Sequence, residues 1–193
     1  MNRWIIFLFA AMTVWPAVAS ADELLAAQTF FDPRERQITC RMGADVNEEQ
    51  ELTTWLRCWE LKGSYGSFQR GEQVFEHIDS RYPGSIYSVS SSLLLSSWDA
   101  GTGKCYVAVS FGGKKPEEVL DECGRGLVEI VRGPGAEVAL LLPVHNDPLQ
   151  PPKGANIFCW ANGALEKKAS AWANRFAEVE THCWKSAKPA KGK

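Results

Sequence analysis

Residues 85–131, SIYSVSSSLLLSSWDAGTGKCYVAVSFGGKKPEEVLDECGRGLVEIV, decide how this chain is read. Over 85–98, Tyr87, Val89, Leu93 and Leu95 alternate with Ser88, Ser90, Ser92 and Ser96, the period-two pattern of a strand with one apolar and one serine face. Asp99 to Gly103 supply a turn. Residues 104–111 return as a partner strand with Cys105, Val107, Val109 and Phe111 on one side, and Gly112 and Gly113 end it. Pro116 suits the first turn of a helix, and Glu117 and Glu118 suit its dipole. Val119/Leu120, Cys123, Leu127 and Ile130/Val131 then give an apolar stripe at helical spacing. The stretch predicts strand, strand, helix.

The same order recurs on either side. Toward the C-terminus, a strand at 136–144, a Pro-rich connection at 145–154 and a short strand at 156–161 lead through Asn162-Gly163 into a long helix. Its stripe of Leu165, Ala169, Trp172, Phe176, Val179 and Cys183 advances in alternating steps of four and three, the strongest periodic signal in the chain. Toward the N-terminus, strands are expected at 27–31 and 36–42. A helix follows, with Asp45 and Glu48 in a capping-box-like arrangement, an apolar stripe of Leu52, Trp55, Leu56 and Trp59, and Gly63 as its stop. Between these units, 72–78 reads as a further strand and Tyr82-Pro83-Gly84 as a turn. The expected class is α+β: antiparallel sheets with helices on one face and a wet, serine-rich opposite face. One compact domain over 22–184 would comprise three strand–strand–helix units at 22–63, 85–132 and 136–184.

The chain has 193 residues, 45% of them hydrophobic and 23% charged, which excludes collagen, coiled coil and wholesale disorder. A net charge of −2 argues against a dedicated nucleic-acid binder. Arg3, the apolar run at 4–15, Pro16 and the Ala19-Ser20-Ala21 step read as a signal peptide over 1–21. That run is shorter than the roughly 20 residues of a membrane helix, and no later run approaches that length. The expected location is the periplasm or the secreted space, with no membrane span after cleavage. Residues 185–193, with Lys185, Lys188, Lys191 and Lys193, read as a basic disordered tail.

All six cysteines follow the signal, and an even count in an exported chain reads as three disulfides. No Cys-x-x-Cys or Cys-x-x-His spacing supports a metal or thioredoxin-like site, and no cofactor is implied. Sequential pairing joins Cys40 to Cys58, Cys105 to Cys123 and Cys159 to Cys183, and closing loops of such length contributes about 3 kcal/mol each in the entropy model. In the middle pair a strand of about 20 Å and a helical return of about 10 Å nearly close the gap. In the last pair Cys183 would lie about 30 Å along its helix, overshooting Cys159. Cys105–Cys123 is therefore the pair that the expected geometry favours.

No catalytic set stands out. His77, His145 and His182 are not within helical reach of one another, and no Gly-x-Ser-x-Gly elbow is present. Glu117/Glu118 and Asp121/Glu122 read as solvating charge on a helix face. Gly112-Gly113-Lys114-Lys115 before the Pro116 helix reads as a turn more readily than as an anion cradle. Aromatics outside the stripes remain as contact anchors: Tyr65 and Phe68 in a Gly-rich loop, Trp98 at a hairpin end, and Trp184 before the tail. A rigid, stapled, acidic body without a catalytic set points to a non-enzymatic binding protein. It would block or neutralise another protein, as immunity and inhibitor proteins do, and its charge suits a basic partner. A small secreted hydrolase and an envelope structural or assembly factor are the alternatives.

Overall fold

In a computed structural model that describes residues 23–46, 51–63, 69–134, 137–144, 154–161, 163–171 and 179–184, the chain folds as successive antiparallel meanders. The first sheet is β1 (Glu23–Phe31), β2 (Gln37–Val46), β3 (Leu52–Lys62) and β4 (Gln69–Asp79), ordered as in sequence. The second is β5 (Tyr82–Ser90), β6 (Leu93–Asp99), β7 (Lys104–Ser110) and β8 (Glu117–Gly124). The third is β9 (Glu129–Arg132), β10 (Val138–Val144), β11 (Gly154–Ala161) and β12 (Ala164–Ala171). A single π-helical turn follows at Glu180–Trp184.

The sheets stack with the second in the middle. Its inner strands alternate, but both faces are covered. Leu94, Trp98, Cys105, Val107, Val109 and Phe111 pack against Phe30, Ile38, Cys40, Met42, Leu56 and Cys58 of the first sheet. Leu93, Leu95, Tyr106 and Ala108 point the other way, onto Val138, Leu140, Leu142, Phe158 and Trp160 of the third. Burial on this scale, at about 25 cal/mol per Å² of apolar surface, is the main term holding the layers together. The outer face of the third sheet, with Leu141, Ala155 and Ile157, is capped by Val179, Cys183 and Trp184.

The α+β expectation is overturned: the described residues are almost entirely antiparallel sheet, and none forms a long helix. Segments read as helices are β3, β8, β9 and β12. In β3 the register pairs Cys40 with Cys58 and Met42 with Leu56, so Leu56 and Cys58 face the second sheet while Trp55 and Trp59 face outward. Apolar residues on both faces erase the period-two signal and leave spacings that imitate a helix. In β8, Ala108 pairs with Leu120 and Val109 with Glu118, so Val119 is the extra residue of a β-bulge. The bulge lets consecutive Val119 and Leu120 both pack into the second core, again imitating a helical stripe. Ala161 pairs with Ala164, so β11 and β12 form a hairpin rather than a strand followed by a helix, with Gly163 at φ 82°.

The unit boundaries shift as well. The 63–84 interval supplies β4 and completes the first sheet, and β9 belongs to the third sheet rather than the second. The stretch 85–98 is a hairpin of β5 and β6 rather than one strand. On its serine face Ser96 is buried, while Ser88, Ser90 and Ser92 are only half-buried. Ser97 and Ser110 are buried as well. Ser96 Oγ donates to Val107 O at 3.1 Å and accepts from Trp98 Nε1 at 3.0 Å, and Ser97 Oγ accepts from Ser85 N at 2.9 Å. Hydroxyls bonded in this way enter a core at little net cost.

Three disulfides staple the fold: Cys40–Cys58, Cys105–Cys123 and Cys159–Cys183. The first two join residues directly opposite on neighbouring strands, with Cα–Cα distances of 4.0 and 3.9 Å. The third ties β11 to the C-terminal turn, with Cα–Cα 5.3 Å. The signal at 1–21, the tail at 185–193, residues 145–153 and the 172–178 part of the expected helix lie outside the described residues.

Candidate ligand groove

The turn between β6 and β7 is short and tight. Ala100 N donates to Gly103 O at 2.9 Å, and Gly101 takes a positive φ of 67°. Beside it, β8 ends at Gly124 and runs through Arg125 and Gly126 into β9. The Tyr106 hydroxyl pins this connection by donating to Gly126 O and accepting from Val128 N, each at 2.9 Å. Burial raises the Tyr106 pKa, which keeps the phenol protonated as that donor.

Three adjoining cavities open along this seam. The first, about 400 Å³, lies between the turn, Cys123–Arg125 and the Leu142–Val144 end of β10. The second, about 380 Å³, shares Thr102, Gly103 and Arg125 with the first and continues to Lys104 and Leu127. The third, about 180 Å³, shares Lys104 and Leu127 with the second and ends at Ser85 and Tyr87. Together they form a groove with apolar rims. Leu127 is 71% exposed and Tyr87 is 42% exposed. A Cβ on Gly124 would stand 3.0 Å from Pro143 O and 3.1 Å from Leu142 Cγ, so glycine is what lets β8 and β10 meet so closely at its floor.

Two cations line the groove. Lys104 Nζ is paired with Asp99 Oδ1 at 2.7 Å, a contact that raises the lysine pKa despite the opposing effect of burial. Arg125 differs: its Nη1 is buried and has no hydrogen-bond partner among the described residues. Cys123 is an exposed residue at the groove edge, and its Sγ accepts from Arg81 Nη1 at 3.4 Å.

Arg81 connects the groove to an ionic seam between the first two sheets. His77 Nδ1 lies 2.8 Å from Glu118 Oε2, and His77 Nε2 lies 3.1 Å from Asp79 Oδ2. Arg81 Nε donates to Asp79 Oδ2 at 2.6 Å, and its two terminal nitrogens fork onto Asp121 at 2.9 and 3.1 Å. Burial works to raise the Asp79 pKa, but hydrogen bonds from the Arg81 side chain and backbone and from His77 outweigh it, holding the carboxyl well below the usual range. The Arg81 guanidinium is held correspondingly above its ordinary value, chiefly by its bond to Asp79. Both ring nitrogens of His77 face carboxylates, so the ring acts as a tie between sheets.

The structure redistributes the residues singled out from sequence. Tyr65 and Phe68 lie outside the described residues. Trp98 is fully buried in the first core, with His77 packed on its indole at 5.4 Å, so it is no surface anchor. Trp184 is half-buried against Gly133 and the outer face of the third sheet. Glu118 and Asp121, read as solvating charge, are seam members. Gly113 and Lys114 turn their carbonyls to the Arg34 guanidinium, and no helix follows Pro116. The groove residues were missed because Cys123–Val128 read as the interior of a helix. Gly124 and Gly126 flanking Arg125 were the available signal against that reading.

No protein-family model, curated protein or solved structure matches the chain. What the molecule shows by itself is a three-layer, all-β, disulfide-stabilised protein. Among the described residues no helix is long and apolar enough to cross a membrane.

Proposed function

We propose that this chain is an exported binding protein of the periplasm or secreted space that holds its ligand in the groove between the β6–β7 turn and the β8–β9 connection. Support for export comes from the leader-like residues 1–21 together with three disulfides, a combination suited to an oxidising compartment. The single observation that carries the binding reading is the adjacency of three cavities that share lining residues, with exposed Leu127 and Tyr87 on the rim. Concave sites with apolar walls and a few fixed polar groups are where ligands bind. The Cys105–Cys123 bridge and the Tyr106 hydrogen bonds hold the groove walls before any ligand arrives, which lowers the ordering cost of binding. The neutralising role fits a partner that inserts a side chain or chain end here. The acidic whole-chain balance would draw a basic partner, whereas the groove itself offers cations.

A fragment screen by two-dimensional NMR on the oxidised protein tests the proposal. Shift changes should concentrate at 99–104 and 124–128. Hits scattered over the surface, or gathered on the first sheet, would refute the groove.

A further inference from the structure

Resting on the ligand-groove reading, we propose that Arg125 is the receptor for a carboxylate carried on an apolar group. Four observations meet at this residue. Arg125 lines both of the larger cavities, at the junction where they share Thr102 and Gly103. Its Nη1 is buried without a hydrogen-bond partner among the described residues. That nitrogen is turned into the protein, as are Arg36 Nη2 and Arg41 Nε elsewhere in the fold, so a ligand would meet the remaining edge of the guanidinium where Arg125 lines both cavities. The neighbouring Lys104 is already neutralised by Asp99 at 2.7 Å, so among the described residues Arg125 is the cation lining these two cavities without an ion pair. And the wall opposite the turn is apolar, formed by Leu142, Pro143 and Val144.

These features select the ligand class. A guanidinium presents a planar fork that matches the two oxygens of a carboxylate. A single positive charge balances a monoanion. A dianionic phosphate would leave one negative charge unpaired near Asp99, which penalises it. The apolar wall gives the rest of the ligand a surface to bury, and about 400 Å³ lies within the range of small-molecule sites. The carboxylate could belong to a free organic acid or to the C-terminus of a peptide, and the chemistry is the same.

The test titrates the oxidised full-length mature protein with four probes, followed by NMR and calorimetry. The probes are hexanoate, acetyl-Ala-Leu-Val with a free C-terminus, the same peptide as its C-terminal amide, and inorganic phosphate. Both carboxylates should move the Arg125 side-chain resonance, and the free-acid peptide should bind roughly tenfold or more tightly than its amide. Tighter binding of the peptide than of hexanoate assigns the natural source to a chain end, and the reverse assigns it to a free acid. R125Q should lose the preference for acid over amide, and R125K should retain part of it, because charge survives without the fork. Near-UV circular dichroism and a thiol count confirm that each variant is folded. Equal binding of acid and amide in the groove, or an unchanged preference in R125Q, overturns the carboxylate inference while leaving the groove intact. Phosphate binding more tightly than either carboxylate also overturns it. If no probe perturbs 99–104 or 124–128, the groove reading falls together with the inference.

Discussion

His77 Nδ1 on β4 and Glu118 Oε2 on β8 meet at 2.8 Å, joining the edge strand of the first sheet to the edge strand of the second. The same ring reaches Asp79 through its other nitrogen, and Asp79 in turn grips Arg81, which forks onto Asp121 and touches Cys123. One chain of polar contacts therefore runs from the interface of the first two layers to the wall of the groove.

Removing Asp79 should be the most damaging single change in this seam. Its side chain is 7% exposed and accepts from both His77 and Arg81. D79A leaves a half-buried guanidinium without its main partner and should cost about 3 kcal/mol. Urea unfolding should show a lower midpoint with an unchanged slope. A midpoint within error of wild type would show that the seam contributes nothing to stability.

The acid limb of the stability curve follows from the same residue. Asp79 is held below its ordinary value in the folded state, so the unfolded chain binds the proton more readily. Its contribution is fully present above the unfolded value of about 3.9 and fades as pH falls below that. Wild type should lose stability faster than D79N between about pH 4 and pH 2, because the variant lacks the linked proton. Parallel acid limbs would count against this assignment.

The disulfides should open in order. Cys40 and Cys58 are both fully buried, whereas Cys123 is exposed at the groove edge. Thiol–disulfide exchange requires access of the attacking thiolate to a sulfur. Limited dithiothreitol treatment of the folded protein, quenched by alkylation and read by peptide mass spectrometry, should label Cys123 before Cys40 or Cys58. The double replacement C105A/C123A should lower stability by about 3 kcal/mol. Simultaneous opening of all bridges would indicate that reduction proceeds through global unfolding instead.

Leu127 separates function from stability. At 71% exposure it contributes little to any core, so L127S should change unfolding free energy by about 0.5 kcal/mol or less. It nonetheless lines the second and third cavities, and fragments that bind there should weaken several-fold. Undiminished binding to L127S would move the ligand away from that part of the groove.

Several elements were legible from residues alone. The strands at 27–31, 36–42, 72–78, 104–111, 136–144 and 156–161 fall within β1, β2, β4, β7, β10 and β11 or overlap them closely, because each carries alternation or β-branched and aromatic side chains between turn residues. The expected strand–strand–helix units were not among them: each sheet is instead a meander of four antiparallel strands. β3 escaped because both of its faces are apolar, and β8 escaped because the Val119 bulge places neighbouring residues on one face. The groove was illegible for a different reason. Thr102, Arg125 and Pro143 come from three separate parts of the chain, and nothing local in any of them announces a cavity.

The order of residues by itself determined the even set of cysteines, the strand-forming runs and the turns between them, since these depend on side-chain chemistry and spacing within a few residues. Tertiary structure alone decided that the second sheet would be buried on both faces, that Ser96, Ser97 and Ser110 would enter the core, and that Arg125 would line a cavity without an ion pair among the described residues. Each of those outcomes depends on what a distant strand places opposite a side chain, and burial is a property of the pair rather than of either sequence segment.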